Sequence, residues 1–267
     1  GTRLALSVFR TPASRGGSVF MHGLAEGDEV ELTQPMQNFP LRVGAARYAI
    51  LAGGIGVTAV LGMARVLARL GADYRFVYAG RSRDAMAYLD ELIAEHGDRL
   101  EVHVDNEGTQ LDVRTLISGL GLDTELYMCG PIRLMDAVRR AWQDSELDPP
   151  NLRYETFGNS GWFDPEEFTV RIPRLGIETV VPKGRSMLEA LEAAGVDLMS
   201  DCRKGECGLC QVDVLELTGT IDHRDVFYSQ RQQHAAATMC CCVSRVTAAK
   251  NPDHERAGGA VVSIEVS

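Results

Sequence analysis

Six of the chain's seven cysteines lie between residues 202 and 242, and three of them set a spacing that few kinds of chemistry use. Cys202, Cys207 and Cys210 read C-x4-C-x2-C, with Gly205 and Gly208 among them, and Cys240, Cys241 and Cys242 follow downstream. Two irons bridged by two sulfides need four terminal thiolates, and one loop can supply three of them if its backbone turns tightly. The two glycines permit such turns and let backbone N–H groups point at sulfur. A zinc site on Cys207 and Cys210 calls for a second C-x2-C pair or a His-x3–5-His unit, and the sequence has neither. A reactive dithiol is the other reading. The spacing favours a binuclear iron–sulfur centre. Its fourth thiolate has three adjacent candidates. Successive strand residues face opposite ways, so Cys241 points away from its neighbours, and Cys240 or Cys242 remains.

A second place for chemistry is Gly53-Gly54-Ile55-Gly56-Val57-Thr58. It lies between the apolar run Tyr48–Ala52 and a helical repeat of Val57, Val60, Leu61, Ala64, Leu67 and Ala68. Backbone donors at a helix start can hold a pyrophosphate, and glycines let it approach. The spacing is not G-x-G-x-x-G, and a ligand-free turn accounts for it equally well. Tyr127-Met128-Cys129-Gly130-Pro131 ends a later strand, and Pro131 opens a helix. Two such edges on one parallel sheet predict a nucleotide crevice, with Gly130 and Pro131 at its rim. Cys129 lies there, either facing the ligand or as a small buried residue. Arg81 and Arg83 follow the next strand, where a ribose or its phosphate is expected; solvated surface charge is the plain alternative.

The elements that must position these residues fall into three rhythms. Leu4, Leu6 and Val8 alternate, as does Glu29–Leu32, around a loop at Ser14–Ser18 and a short helix near Val19–His22. This reads as strands from the tail of a β-barrel that begins upstream, since Gly1 has neither a Met nor an export signal before it. Strands at Tyr48–Ala52, Arg75–Tyr78, Leu100–Val104 and Glu125–Met128 then alternate with helical patterns at Asp84–Glu95, Asp112–Ser118 and Pro131–Trp142, which predicts a parallel sheet. Gly158–Gly161 and Asp164-Pro165 have linker composition. Beyond them, strands at Phe168–Ile172, Thr179–Val181, Gln211–Leu217 and Val261–Val266, with a helix at Ser186–Ala194, predict a small α+β domain.

Composition bounds the function. With 267 residues, Lys+Arg 27 and Asp+Glu 37, the net charge is −10 and the pI about 5.1, which argues against nucleic acid. No apolar run has the length of a membrane helix. Clustered cysteines without an export signal point to a reducing cytoplasm rather than a disulfide framework.

Several segments, taken in order, carry a resemblance. They are Arg15-Gly16-Gly17-Ser18, Gly53–Thr58, Cys129-Gly130-Pro131, Tyr154-Glu155-Thr156-Phe157, the cysteine loop, Asp222-His223-Arg224-Asp225 and Cys242-Val243-Ser244-Arg245. The chain resembles the phthalate dioxygenase reductase family, which includes vanillate O-demethylase reductases. The resemblance implies α/β plus α+β architecture. Residues 1–43 would be the remnant of a flavin-binding β-barrel, 44–157 a parallel-sheet pyridine-nucleotide (NAD) domain, 158–167 a linker, and 168–267 a C-terminal β-grasp plant-type ferredoxin domain. It implies that NADH delivers a hydride to FMN, that FMN feeds a 2Fe–2S cluster, and that the cluster reduces a Rieske-type terminal oxygenase, an aromatic O-demethylase or ring hydroxylase. By the same resemblance Arg15, Gly16, Gly17 and Ser18 approach the flavin phosphate, and Gly53, Gly54, Gly56, Thr58, Gly130 and Pro131 bind the nucleotide. Cys129 lies near the nicotinamide, Phe157 covers the flavin ring, and Cys242 joins Cys202, Cys207 and Cys210 as the fourth ligand. Ala59 and Phe9 depart from the usual Pro and Lys, and the family's Arg-x-Tyr-Ser flavin motif belongs upstream of residue 1. The expected partner is an oxygenase docking near Arg203 and Lys204, with no nucleic acid or membrane and a monomeric chain. Two rivals are the reductase portion of a self-sufficient haem-thiolate monooxygenase and a stand-alone iron–sulfur electron carrier.

Overall fold

The computed structural model describes residues 4–11, 14, 16–32, 37, 39–157, 161, 163, 165–248 and 259–266. The chain divides into two units, Gly1–Glu155 and Thr156–Ser267. No helix among the described residues is long and apolar enough to cross a membrane.

The first unit opens with a short helix, α1 (Gly17–Gly23), where the sequence predicts one. The strands expected at Leu4–Val8 and Glu29–Leu32 do not form, and no strand is assigned among the described residues before Arg47. A strand is held by ladder bonds to a neighbour, and among the described residues neither segment is assigned to a strand. Leu4, Leu6, Phe9, Val30 and Leu32 are exposed in consequence.

From there the four predicted strands form a parallel sheet, and a fifth strand that the sequence reading lacks joins its edge at Leu152–Glu155. The elements are β1 (Arg47–Gly53), α2 (Val57–Leu70), β2 (Tyr74–Gly80), α3 (Leu89–His96), β3 (Leu100–Val104), α4 (Val113–Ser118), β4 (Thr124–Cys129), α5 (Ile132–Gln143) and β5 (Leu152–Glu155). The strand order is β3-β2-β1-β4-β5, parallel throughout. β1 is the central strand and is buried from Tyr48 to Gly53, which explains its unbroken apolar run. Val57, Val60, Met63, Ala64 and Leu67 of α2 bury their stripe against Tyr48, Ile50, Ala52, Phe76 and Tyr78. α3 starts later than its sequence pattern, because Arg83–Ala85 forms a 3-10 turn and Tyr88 takes a left-handed φ of 62°.

The second unit contains β6 (Phe168–Ile172), β7 (Ile177–Val181), α6 (Met187–Ala193), β8 (Gln211–Thr218), β9 (Thr220–Asp222), α7 (Gln230–Ala235), β10 (Thr238–Cys240), β11 (Arg245–Thr247) and β12 (Ala260–Glu265). Its mixed sheet runs β10-β8-β12-β6-β7, with β12 parallel to β6 and the other pairs antiparallel; β9 and β11 pair separately. Met187, Leu188, Ala190 and Leu191 of α6 pack with Phe168, Val170, Val212, Val262 and Ile264. This is the β-grasp arrangement, a mixed sheet closed over one helix. Ser186 caps α6 in a reciprocal box with Glu189. β9, β10, β11 and α7 were not legible in the sequence; each is only three to six residues long.

Candidate functional site

The cysteine loop joins α6 to β8. Gly205 and Gly208 take φ of +79° and +76°, and the space beside them is already filled. A Cβ on Gly205 would lie 2.6 Å from Val243 Cγ2 and 2.8 Å from the Asp225 Cα, and one on Gly208 2.3 Å from the Phe227 ring. The curl this allows turns the N–H groups of Lys204, Glu206 and Cys207 onto Cys202 Sγ, each at 3.4 Å. Burial alone would raise the Cys202 pKa, but these donors bring it below the ordinary thiol value. A sulfur ringed by amide donors suits a thiolate, and so suits iron–sulfur ligation.

Of the three downstream cysteines, Cys240 closes β10, and Cys241 and Cys242 lie in the turn that follows, not in the strand whose alternation the sequence suggested. The thiols of Cys240 and Cys242 both hydrogen-bond Cys210 Sγ, which lowers the pKa of Cys210 and raises their own. Cys241 is buried; its N–H donates to the Cys210 carbonyl (3.0 Å), and its carbonyl accepts from Leu188 (3.0 Å). Cys240 and Cys242 differ in what else they face. Cys242 receives the Gly205 N–H and feels the charge of Cys202, whereas Cys240 lies in the field of Asp225. Cys202, Cys207 and Cys210 share the curled loop, and Cys240 and Cys242 both lie by Cys210. Among the described residues no three such side chains converge on one point; a binuclear cluster asks for two thiolates per iron.

Behind this loop lies a polar network that sequence reasoning left without roles. Asp222, His223, Arg224, Asp225 and Ser244 are all buried. Asp225 accepts from Ser244 Oγ (3.0 Å) and the Tyr228 N–H (3.0 Å), and Arg224 Nε donates to Asp222 (2.8 Å). Arg245 donates to the carbonyls of Arg185, Glu166 and Pro182, and burial lowers its pKa to about 10. On the other side, Glu206 accepts from the Thr156 N–H (3.0 Å) and hydroxyl (2.8 Å), and that hydroxyl also reaches the Lys204 carbonyl (3.1 Å). The sequence signal was four consecutive polar residues, 222–225, inside a small domain; buried groups of that kind persist only when bonded to one another.

In the first unit the two glycine-containing edges meet. The strand order reverses direction between β1 and β4, and Ala52 pairs with Cys129 there. Such a switch point is where open parallel sheets bind ligands. The turns are packed on each other: a Cβ on Gly56 would lie 2.2 Å from the Cys129 carbonyl oxygen, and one on Gly53 2.7 Å from Pro131 Cδ. Gly130 lies against Gly53 in turn. Gly54 accepts from the Tyr78 hydroxyl (3.2 Å), and Thr58 Oγ1 donates to the Ile55 carbonyl (2.9 Å). Cys129 is 1% exposed and belongs to the core beneath this edge. Arg81 is exposed beyond β2, whereas Arg83 is engaged by Glu107 through two bonds, of 2.8 and 2.9 Å. Phe157 is 45% exposed, two residues past β5. Gly16 precedes α1 at φ 108°, Gly17 and Ser18 form its first turn, and Ser18 Oγ bonds Thr11 and Ser14; Arg15 lies outside the described residues.

Residues 170–247 match the family model of the 2Fe-2S iron-sulfur cluster binding domain. The chain is 35% identical over 237 residues to a carnitine monooxygenase reductase subunit of Acinetobacter baumannii, covering 88% of this chain and 74% of that protein. It is 36% identical over 241 residues to a heme-dependent oxidative N-demethylase beta subunit of Ectopseudomonas mendocina, covering 90% and 76%. The solved structure of phthalate dioxygenase reductase, described as modular for electron transfer from pyridine nucleotides to [2Fe-2S], superposes with a TM-score of 0.66 at 31% identity, covering 97% of this chain and 78% of that one. Fold and comparisons together define an oxidoreductase of the oxygenase-reductase class with a C-terminal 2Fe–2S domain. The chain belongs to the phthalate dioxygenase reductase family.

Proposed function

We propose that this chain passes electrons from NADH through FMN to a 2Fe–2S cluster held by Cys202, Cys207, Cys210 and Cys242, and on to a Rieske-type terminal oxygenase. The observation that carries the reading is the cysteine loop itself, with three amide donors on Cys202 Sγ and Cys242 turned toward Gly205 and Cys202. When bound, the flavin and the cluster supply the conversion of a two-electron hydride into single electrons. The protein's part is to bind and orient. At the switch point the absence of side chains on Gly53, Gly56 and Gly130 lets the two turns pack against each other, and the backbone donors at the start of α2 would face a pyrophosphate. Arg81 stands just past β2, where a ribose would lie, and Arg83 is already paired to Glu107, which favours NADH over NADPH. Gly17 and Ser18 offer first-turn N–H groups of α1 to the flavin phosphate. Phe157 remains exposed enough to stack on a flat ring.

Anaerobic mixing of the purified full chain with NADH or NADPH tests this. The expected result is flavin-dependent bleaching of the cluster that NADH drives at lower concentration than NADPH. A cluster that neither nucleotide bleaches in flavin-loaded protein would reduce the chain to a passive carrier. Comparing Rieske-type with haem-dependent oxygenases as acceptors then tests the partner; faster reduction of the haem enzymes would overturn the Rieske assignment.

A further inference from the structure

We infer that Glu107 is a specificity-determining residue of the nucleotide site: its carboxylate holds Arg83 in a two-point ion pair and so withholds that guanidinium from a 2′-phosphate. This rests on the reading of the switch point as a dinucleotide crevice. β2 and β3 run side by side in parallel, with Gly80 opposite Val104, so Arg81 and Asp105 leave the sheet at the same edge. In a dinucleotide fold the adenosine ribose lies beyond the second strand, and an arginine near it is what accommodates a 2′-phosphate. The chain past β2 carries Arg81 and Arg83 there, and both are exposed.

Glu107 is placed by a closely tied loop. Asp105–Glu107 forms a 3-10 turn after β3, and Gly108 ends it with a left-handed φ of 74°. The Val104 N–H donates to the Thr109 hydroxyl (2.8 Å), and the Thr109 N–H returns to the Val104 carbonyl (3.3 Å). The Asn106 N–H donates to the Arg81 carbonyl (3.1 Å), which ties the turn to the end of β2. From this backbone Glu107 accepts with both oxygens, from Arg83 Nε at 2.8 Å and from Nη2 at 2.9 Å. A guanidinium fork recognises carboxylate and phosphate by the same two-donor geometry. With Nε and Nη2 spent on Glu107, Arg83 offers an incoming phosphate little net charge, and the carboxylate adds a repulsion that a 2′-hydroxyl does not feel. Such an exposed pair contributes little to folding stability, so its effect falls on the ligand.

The test is calorimetric titration of the full chain with NADPH and NADH, and with 2′,5′-ADP and 5′-AMP as probes of the phosphate site, in wild type, Glu107→Gln and the double variant E107Q/R83Q. In Glu107→Gln the affinity for NADPH relative to NADH should rise several-fold at low ionic strength and shrink back as salt is added. The same rise is expected for 2′,5′-ADP relative to 5′-AMP, and E107Q/R83Q should lose both. An unchanged ratio in Glu107→Gln, or a rise that persists without Arg83, would overturn the proposal. Tighter binding of both nucleotides alike would overturn it too, by making the effect a shift of the loop. A wild-type chain that prefers NADPH, with the ratio raised further in Glu107→Gln, would overturn the NADH preference while supporting the role of Glu107. Wild-type protein that binds none of the four would overturn the crevice reading and this inference with it.

Discussion

At the residue scale, the cysteines show what spacing alone can reveal. C-x4-C-x2-C with interposed glycines predicts a loop that curls around sulfur, and the left-handed φ of Gly205 and Gly208 produces that curl. The choice between Cys240 and Cys242 is not legible from residue spacing, because strand alternation leaves both; the proposal of Cys242 rests on the family resemblance carried by Cys242-Val243-Ser244-Arg245. Cys242→Ala is therefore expected to abolish the visible absorption and the reduced-state EPR signal of the cluster. Retention of both would shift the ligand to another thiol. In the first unit, His96 is buried, with Nδ1 bonded to the Tyr74 hydroxyl at 2.7 Å and Nε2 without a hydrogen bond, 3.9 Å from the Glu95 carboxylate. Burial lowers its pKa from the ordinary value of 6.5, against the opposing pull of Glu95. Over the window between the folded pKa and 6.5 the unfolded chain binds the proton and the folded chain does not, so stability falls as pH falls through it. Calorimetry on His96→Gln should show a shallower loss of Tm with acidification below about pH 6.5. An equal slope in both proteins would assign the acid sensitivity elsewhere.

At the element scale, long periodic segments were readable and short ones were not. α2 and the central strand β1 announce themselves through apolar patterning, whereas β9, β10 and β11 carry too few residues for any period to register. The alternation at Leu4–Val8 shows the opposite limit, a strand pattern in the sequence that is not assigned as a strand. Caps are the most local signal, and Ser186-x-x-Glu189 is a full capping box on the helix that the second sheet closes over. Ser186→Ala should cost about 1 kcal/mol and lower the Tm of the second unit while leaving the first unchanged. A loss of a few tenths of a kcal/mol or less would mean that burial of Met187, Leu188 and Leu191 holds the helix without its cap.

At the scale of the whole molecule, charge is unevenly divided. Residues 168–267 carry 11 Lys+Arg and 13 Asp+Glu, so most of the net −10 lies before them. On the proposed reading, an oxygenase docking at the cysteine loop would meet Arg203 and Lys204; Arg203 is paired with Glu192 at 2.6 Å. Reversing both charges (R203E/K204E) should slow electron transfer to the oxygenase several-fold at low ionic strength, with the gap closing as salt is added. A salt-independent deficit would place the docking surface elsewhere. Residues 158–167 read as a linker after a nucleotide domain ending at Phe157, yet described residues from Thr156 onward are stitched into the second unit: Thr156 to Glu206 and Lys204, the Phe163 carbonyl to Arg224, and Glu166 to Arg245 and Ala248. This fixes where the iron–sulfur module can be excised. A fragment of residues 156–267 should carry its cluster as the whole chain does. One of residues 168–267, though it contains every cysteine of the site, should surrender its iron faster to a chelator, because Glu206 has lost the partner that holds the loop shut.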